Sequence, residues 1–234
     1  MIPGTLYIVA TPIGNLEDIT LRAVRILGQV AAIACEDTRQ TLKLLNRLNL
    51  KKPLISYFQP WEGKKIPEIL SVLLGGRDVA LVSDAGTPGI SDPGYRLVVE
   101  AIRNGIMVTP IPGPNAAAAA LSASGLSTHR FLFIGFPPPK TEGVRNLLLG
   151  LREEEGTLIV YLPARRLEAF LGSVLECLGD RFVVIARELT KIHEEFLRDT
   201  AANFLKTKGI HGLKGEVTLL IQGKTRKKPA IQKE

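Results

Sequence analysis

Val79-Ala80-Leu81-Val82-Ser83-Asp84-Ala85-Gly86-Thr87-Pro88-Gly89-Ile90-Ser91-Asp92-Pro93-Gly94 begins as a short apolar run and breaks into a twelve-residue turn holding three glycines and two prolines. The apolar run predicts a buried strand, and Tyr95 to Asn104, directly after the turn, keeps the spacing of an amphipathic helix. Outward from this unit the same alternation recurs. Towards the N-terminus the strand candidates are Thr5–Ala10, Ala31–Cys35 and Pro53–Tyr57, with helix candidates at Leu21–Gln29, Thr41–Leu48 and Ile66–Leu74; Met107–Ile111 follows as a further strand. Strands separated by helices predict an α/β architecture with a mostly parallel sheet. Pro110-Ile111-Pro112-Gly113-Pro114 interrupts the pattern, and Asn115 opens a helix with five alanines, which puts a domain boundary near residue 115.

Beyond the boundary a second strand set appears at Phe131–Ile134, Thr157–Tyr161, Phe182–Ala186 and Val217–Ile221. Between two of these Leu167, Phe170, Leu171, Val174, Leu175 and Leu178 form an i, i+3, i+4 stripe, read as core packing. Two α/β domains of nearly equal size are expected, 1–115 and 116–234. The segment from Lys224 to Glu234 reads as a frayed, solvated end.

Composition narrows the function classes. The 234 residues are 45% hydrophobic and 23% charged, which predicts a packed core and excludes an intrinsically disordered chain. Cys35 and Cys177 are the only cysteines, without C-x-x-C spacing, so a disulfide framework or a cysteine zinc site is not expected and a reducing, cytoplasmic location fits. The N-terminal stretch lacks signal-peptide features, and no run approaches the roughly 18 apolar residues of a membrane span. Thirty Lys and Arg against 23 Asp and Glu leave a net charge of +7, which favours anionic partners such as nucleic acid.

Four turn-rich segments each follow a predicted strand: Thr11–Asn15, Glu36–Arg39, Ser83–Gly94 and Pro112–Asn115. In an open parallel sheet all four lie along the edge where the strands' carboxyl ends meet, the place where such folds bind ligands. Ordinary helix-capping loops would explain one or two of them, but Ser83–Gly94 exceeds normal loop lengths. Asp84 offers a carboxylate beside backbone that Gly86 lets a ligand approach, suited to a cation or a hydroxyl-bearing cofactor; a turn-capping role suits it equally. Glu36-Asp37 stands out among acidic pairs because it ends a strand on this edge. No G-x-G-x-x-G follows the first strand, and Gly223-Lys224-Thr225 has Thr218 where a phosphate loop needs glycine. His129, His193 and His211 lack metal-ligand spacing, and no G-x-S-x-G elbow occurs.

Thr11-Pro12-Ile13-Gly14-Asn15-Leu16 with Asp18-Ile19-Thr20, Glu36-Asp37-Thr38-Arg39, Ser83 to Gly94, Pro112-Gly113-Pro114, Ala186-Arg187-Glu188-Leu189-Thr190-Lys191 and Lys214-Gly215-Glu216, in this order, resemble the ribosomal RNA small subunit methyltransferase I family of the tetrapyrrole methylase superfamily. The resemblance runs from about Gly4 to Gly223. It implies two αβα domains, the first sheet mostly parallel and the second mixed, in a homodimeric enzyme that holds S-adenosylmethionine in the interdomain cleft, without metal. It implies methylation of the ribose 2′-hydroxyl of one cytidine in small-subunit ribosomal RNA or a ribosomal particle. Pro12, Ile13, Asp84, Ala85, Gly86, Thr87, Ala116, Ala117 and Leu162 match cofactor-contacting positions. Glu36, Asp37, Glu188 and Lys191 are the catalytic candidates, with Glu36, Asp37 and Lys191 preferred; Arg39 and Arg187 are placed to pair with these acids instead.

The chain departs from the family pattern at Tyr57-Phe58-Gln59-Pro60-Trp61-Glu62, where Tyr-His-x-His-Asn-Glu is usual, and at Tyr161-Leu162-Pro163-Ala164-Arg165-Arg166, where Tyr-Glu-Ser-Pro-His-Arg is usual. Asn115 replaces a more usual serine. Two other readings stand beside rRNA methylation: methylation of a small molecule such as a tetrapyrrole, and a catalytically silent RNA-binding relative.

Overall fold

A computed structural model describes residues 2–58, 62–207 and 209–225. The chain divides into two compact units, residues 1–115 and 116–234. The first contains β1 (Thr5–Val9), α1 (Leu21–Gln29), β2 (Ala32–Cys35), α2 (Thr38–Arg47), β3 (Leu54–Ser56), α3 (Glu62–Leu74), β4 (Val79–Val82), α4 (Tyr95–Arg103) and β5 (Met107–Ile111). Its five strands are all parallel in the order β3-β2-β4-β1-β5.

The sheet is covered on both faces, which is why β2 and β4 read as unbroken apolar runs. Ala32, Ala34, Val79 and Leu81 pack with Ile69 and Leu73 of α3 and Leu97 of α4. Their neighbours Ile33, Cys35, Ala80 and Val82 face Leu27 of α1 and Leu45 of α2. The two-residue period of a strand thus sorts one run into two cores. Helix α2 starts at Thr38 rather than at Thr41, because the Asp37 carboxylate accepts the Arg39 N–H and caps it.

The second unit contains α5 (Ala116–Ser124), β6 (Phe131–Gly135), α6 (Thr141–Gly150), β7 (Thr157–Pro163), α7 (Leu167–Leu178), β8 (Phe182–Arg187), β9 (Glu195–Thr200), α8 (Ala201–Thr207) and β10 (Glu216–Ile221). Its sheet is mixed, in the order β6-β7-β10-β8-β9, with only the β6–β7 pair parallel. Of the α7 stripe read from the sequence, Leu167, Phe170, Leu171, Val174 and Leu178 are buried in the core with Val160, Leu162 and Leu219, while Leu175 is half-buried. Strand β9 and helices α6 and α8 were not picked out by the sequence pattern. Glu195, Arg198 and Asp199 make β9 too polar for a strand reading, but at the sheet edge its register is held by the Arg187–Glu195 ion pair across a paired position.

Lys224, read from the sequence as the start of a loose tail, is held: its N–H donates to Glu154 O at 2.7 Å and its ammonium pairs with Glu153. Residues 226–234, and with them the rest of that expected tail, lie outside the described residues, as do Gln59, Pro60 and Trp61. Among the described residues no helix is long and apolar enough to cross a membrane.

Candidate functional site

Parallel pairing places the carboxyl ends of β1, β2, β4 and β5 along one edge of the first sheet, and the segments after them are tied together there. The segment after β4 is the hub. Thr11, after β1, exchanges two backbone hydrogen bonds with Gly86 at 2.8 and 3.0 Å, forming an isolated antiparallel bridge. Gly86 takes φ +81° to do so, a conformation that disfavours any side chain. Asp37, after β2, donates its N–H to Asp84 Oδ1 at 3.1 Å. The Thr87 hydroxyl donates to the carbonyl of Pro114, after β5, at 3.1 Å. Ser83 is the buried root of the hub: its carbonyl accepts the Thr11 hydroxyl at 3.2 Å, and its own hydroxyl donates to Ala85 O at 3.2 Å.

The carboxylates on this edge differ in condition. Asp37 holds Arg39 in a two-point pair, Nη2 to Oδ2 at 2.7 Å and Nε to Oδ1 at 3.0 Å, and also caps α2. Hydrogen bonds from the Arg39 side chain and backbone bring its pKa down to about 2, which makes it a poor proton acceptor near neutrality. Glu36 has no hydrogen bond or ion pair among the described residues. Partial burial, with repulsion from Asp84, Asp92 and Asp37, pushes its pKa up. Asp92, at the far end of the hub segment, is pushed up to about 6 by burial, partly offset by a hydrogen bond with Ser83 and reinforced by Asp84. The sequence reading passed over Asp92 because it lies within a Ser-Asp-Pro-Gly turn, where a structural aspartate is the ordinary expectation. Its eight-residue separation from Asp84 within one overlong turn was the available signal.

Among the residues expected to meet a cofactor, Asp84 and Ala85 are exposed, Pro12, Ile13 and Thr87 half-buried, and Gly86 buried. Gly86 lies close to Ile13, whose Cγ2 is 3.4 Å from where a residue-86 Cβ would stand. These six are brought together on the first unit's edge. Ala116, Ala117 and Leu162 belong to the second unit. There the Ala117 N–H, at the start of α5, donates to Tyr161 Oη at 3.1 Å. The Leu162 side chain is buried in the core and its backbone lies in the β7–β10 ladder.

Lys191 also lies in the second unit, in the turn after β8. Its ammonium donates to Glu188 Oε1 at 3.0 Å and to Glu216 Oε2 at 2.8 Å. Partial burial opposes its charge, but the two carboxylate hydrogen bonds outweigh this and raise its pKa, so it is a fixed cation and not a proton acceptor. Glu188 is held from several sides. Its Oε1 also accepts the Glu216 N–H at 2.9 Å, and that bond together with Lys191 lowers its pKa. The turn is strained, with Glu188 at φ 49° and Thr190 at φ 63°. Gly215 beside it takes φ +96°, which disfavours a side chain, and a Cβ there would displace the Glu188 carboxylate. Arg187 pairs with Glu195 rather than with Glu188. Among the described residues no group of three or more His, Cys, Asp or Glu is placed to hold a metal ion.

Residues 5–205 match the family model of the tetrapyrrole (corrin/porphyrin) methylases. Two curated relatives are both named ribosomal RNA small subunit methyltransferase I. The one from Halalkalibacterium halodurans is 50% identical over 94% of this chain and 76% of its own length. The one from Thermotoga maritima is 46% identical over 94% of this chain and 99% of its own. A crystal structure of uroporphyrin-III-C-methyltransferase from Thermus thermophilus aligns with a TM-score of 0.65 at 21% identity, covering 94% of both chains, and bears on the fold alone. The strand-end hub, the paired parallel and mixed sheets and these likenesses agree: the chain belongs to the tetrapyrrole methylase family, and within it to the ribosomal RNA small subunit methyltransferase I family.

Proposed function

We propose that this protein transfers a methyl group from S-adenosylmethionine to the ribose 2′-hydroxyl of a cytidine in small-subunit ribosomal RNA. The observation that carries the reading is the knot of strand-end segments at Asp84, Gly86 and Thr87, together with the names borne by relatives of nearly half-identical sequence. The donor set fits such a cofactor. It carries a cationic sulfonium, an ammonium and ribose hydroxyls, and the edge offers the carboxylates of Glu36, Asp84 and Asp92 beside small residues that let a ligand approach. Bound there, it supplies an electrophilic methyl group.

In this reading Asp84, Ala85, Gly86, Thr87, Pro12 and Ile13 hold the cofactor. Glu36 takes the proton of the ribose hydroxyl. It is the free carboxylate of the Glu36-Asp37 pair, and its raised pKa brings it closer to the operating pH, where a general base works best. Asp37 positions the Glu36 turn through Arg39 and Asp84, and Lys191 holds the turn after β8 through Glu188 and Glu216.

The test is transfer of labelled methyl to purified small-subunit RNA and particles, followed by nuclease digestion and mass spectrometry. The methyl is expected on ribose oxygen, making the adjoining linkage resistant to alkali. Glu36→Gln should lower turnover by about 10²–10⁴-fold, far more than it lowers cofactor affinity. Label on a nucleobase, or transfer only to a free tetrapyrrole, would overturn the reading, and undiminished turnover in Glu36→Gln would remove Glu36 from it.

A further inference from the structure

The second unit carries an aromatic group where β6 ends beside β7. Tyr161 lies edge-on to Phe133, with ring centroids 4.9 Å apart, and to Phe136, at 5.6 Å. Phe136 follows β6 and is 63% exposed, yet it is firmly seated. Tyr161 is itself anchored by the Ala117 N–H, and the Pro137-Pro138-Pro139 run after Phe136 restricts the backbone. Arg166, in the short turn after β7, donates to Pro137 O at 3.3 Å and also to Pro138 O. A large ring is thus held in place with most of its surface in water.

The charged residues that flank it in the chain are mainly basic. Lys140 and Arg165 are exposed and have no ion pair among the described residues, and Arg166 donates to carbonyls only. Of the acids on the adjoining helices, Glu176 pairs with Arg145, which leaves Glu142 and Glu168 against these three cations. A fixed, exposed aromatic ring flanked by free cations matches the chemistry of single-stranded nucleic acid, a base to stack and phosphates to neutralise.

We infer that Phe136, braced by Tyr161 and Arg166, is a stacking platform for an unpaired base of the RNA substrate, with Lys140 and Arg165 taking the adjoining phosphates. This rests on the RNA-methylating reading and adds to it a specificity-determining residue. Two other occupants of the ring are distinguishable: the adenine of the cofactor, and a second copy of this chain.

The experiment is fluorescence anisotropy of the full-length protein with a short labelled single-stranded RNA and with its abasic counterpart, together with cofactor affinity by calorimetry and oligomeric state by sedimentation. Phe136→Ala is expected to weaken RNA binding by roughly 5- to 150-fold, the range of one lost base–aromatic stack. Phe136→Trp should restore it and Phe136→Leu should not, because leucine keeps apolar area but has no π face. Abasic RNA should bind wild type and Phe136→Ala alike. Equal RNA affinity of wild type and Phe136→Ala, or full activity of Phe136→Leu, overturns the stacking role and leaves RNA methylation standing. Loss of cofactor affinity in Phe136→Ala reassigns the ring to adenine, and a shift in sedimentation reassigns it to self-association; either overturns the inference. Wild type that binds neither RNA overturns this inference, and the methylation reading is then decided separately by methyl transfer to the small-subunit particle.

Discussion

Asp92 and Asp37 sit on the same sheet edge and respond to acid in opposite ways. Asp92 holds its proton up to a pKa of about 6 in the folded state, against an ordinary 3.8. Between those values the folded chain binds more proton than the unfolded one, so its contribution to stability is present below about pH 4 and lost as pH rises through about 6. Glu36 acts in the same direction. Asp37, lowered to about 2, stabilises above its ordinary pKa and loses this as pH falls toward 2. Asp92→Asn should therefore flatten the fall in stability between about pH 4 and 6 and raise stability at pH 7, measured by urea unfolding across that range. An unchanged pH profile would show that Asp92 ionises as freely as in the unfolded chain. The sequence showed Glu36 and Asp37 as an equivalent pair. Which of them remains free depends on Arg39 folding back onto Asp37 and on Asp84 arriving from a strand 47 residues away, and neither is visible in residue spacing.

At the scale of single elements, α5 shows how an alanine run becomes a specific helix. Ala117, Ala120, Leu121 and Ser124 form its buried face, packed against β7, β8 and β10. Its ends are closed by side chains from elsewhere: Tyr161 Oη accepts the Ala117 N–H, and Arg198 of β9 donates to Ala123 O at 2.7 Å and to Ser124 O at 3.2 Å. Arg198 also lies over the Phe196 ring, 5.1 Å from its centroid. Arg198→Ala should cost about 1 kcal/mol in chemical denaturation, the usual scale for hydrogen bonds at a solvated site. Arg198→Lys should recover only part, since an ammonium cannot span two carbonyls as a guanidinium fork does. Full recovery would mean that charge alone closes the helix. The elements legible in the sequence were those whose burial imposes a period, such as β2, β4 and α7. Strand β9 was not legible because an edge strand exposes much of itself, and its pairing with β8 is settled by a partner in three dimensions.

For the whole molecule, a net charge of +7 together with the proposed RNA substrate predicts an affinity that depends on ionic strength. For a single strand the logarithm of the affinity should fall linearly with the logarithm of salt concentration, and each lost phosphate contact should reduce the slope by about 0.7. Lys140→Ala is expected to do so in a salt titration, and a flat response in wild type would count against an RNA partner. The α/β class and the gathering of strand-end loops on one edge followed from alternation alone, because parallel pairing leaves the carboxyl ends no other arrangement. The roles of those loops came from hydrogen bonds that span up to 72 residues of chain. The strand orders also bear on how the protein is made. In β3-β2-β4-β1-β5 the final strand is an edge, so a ribosome that has not yet delivered it has already released a nearly finished sheet. In β6-β7-β10-β8-β9 the last strand in sequence is the middle one, and until it emerges β7 and β8 each present an unpaired, aggregation-prone edge. A premature stop before Glu216 would thus leave a translated first half able to fold and a second half without its keystone.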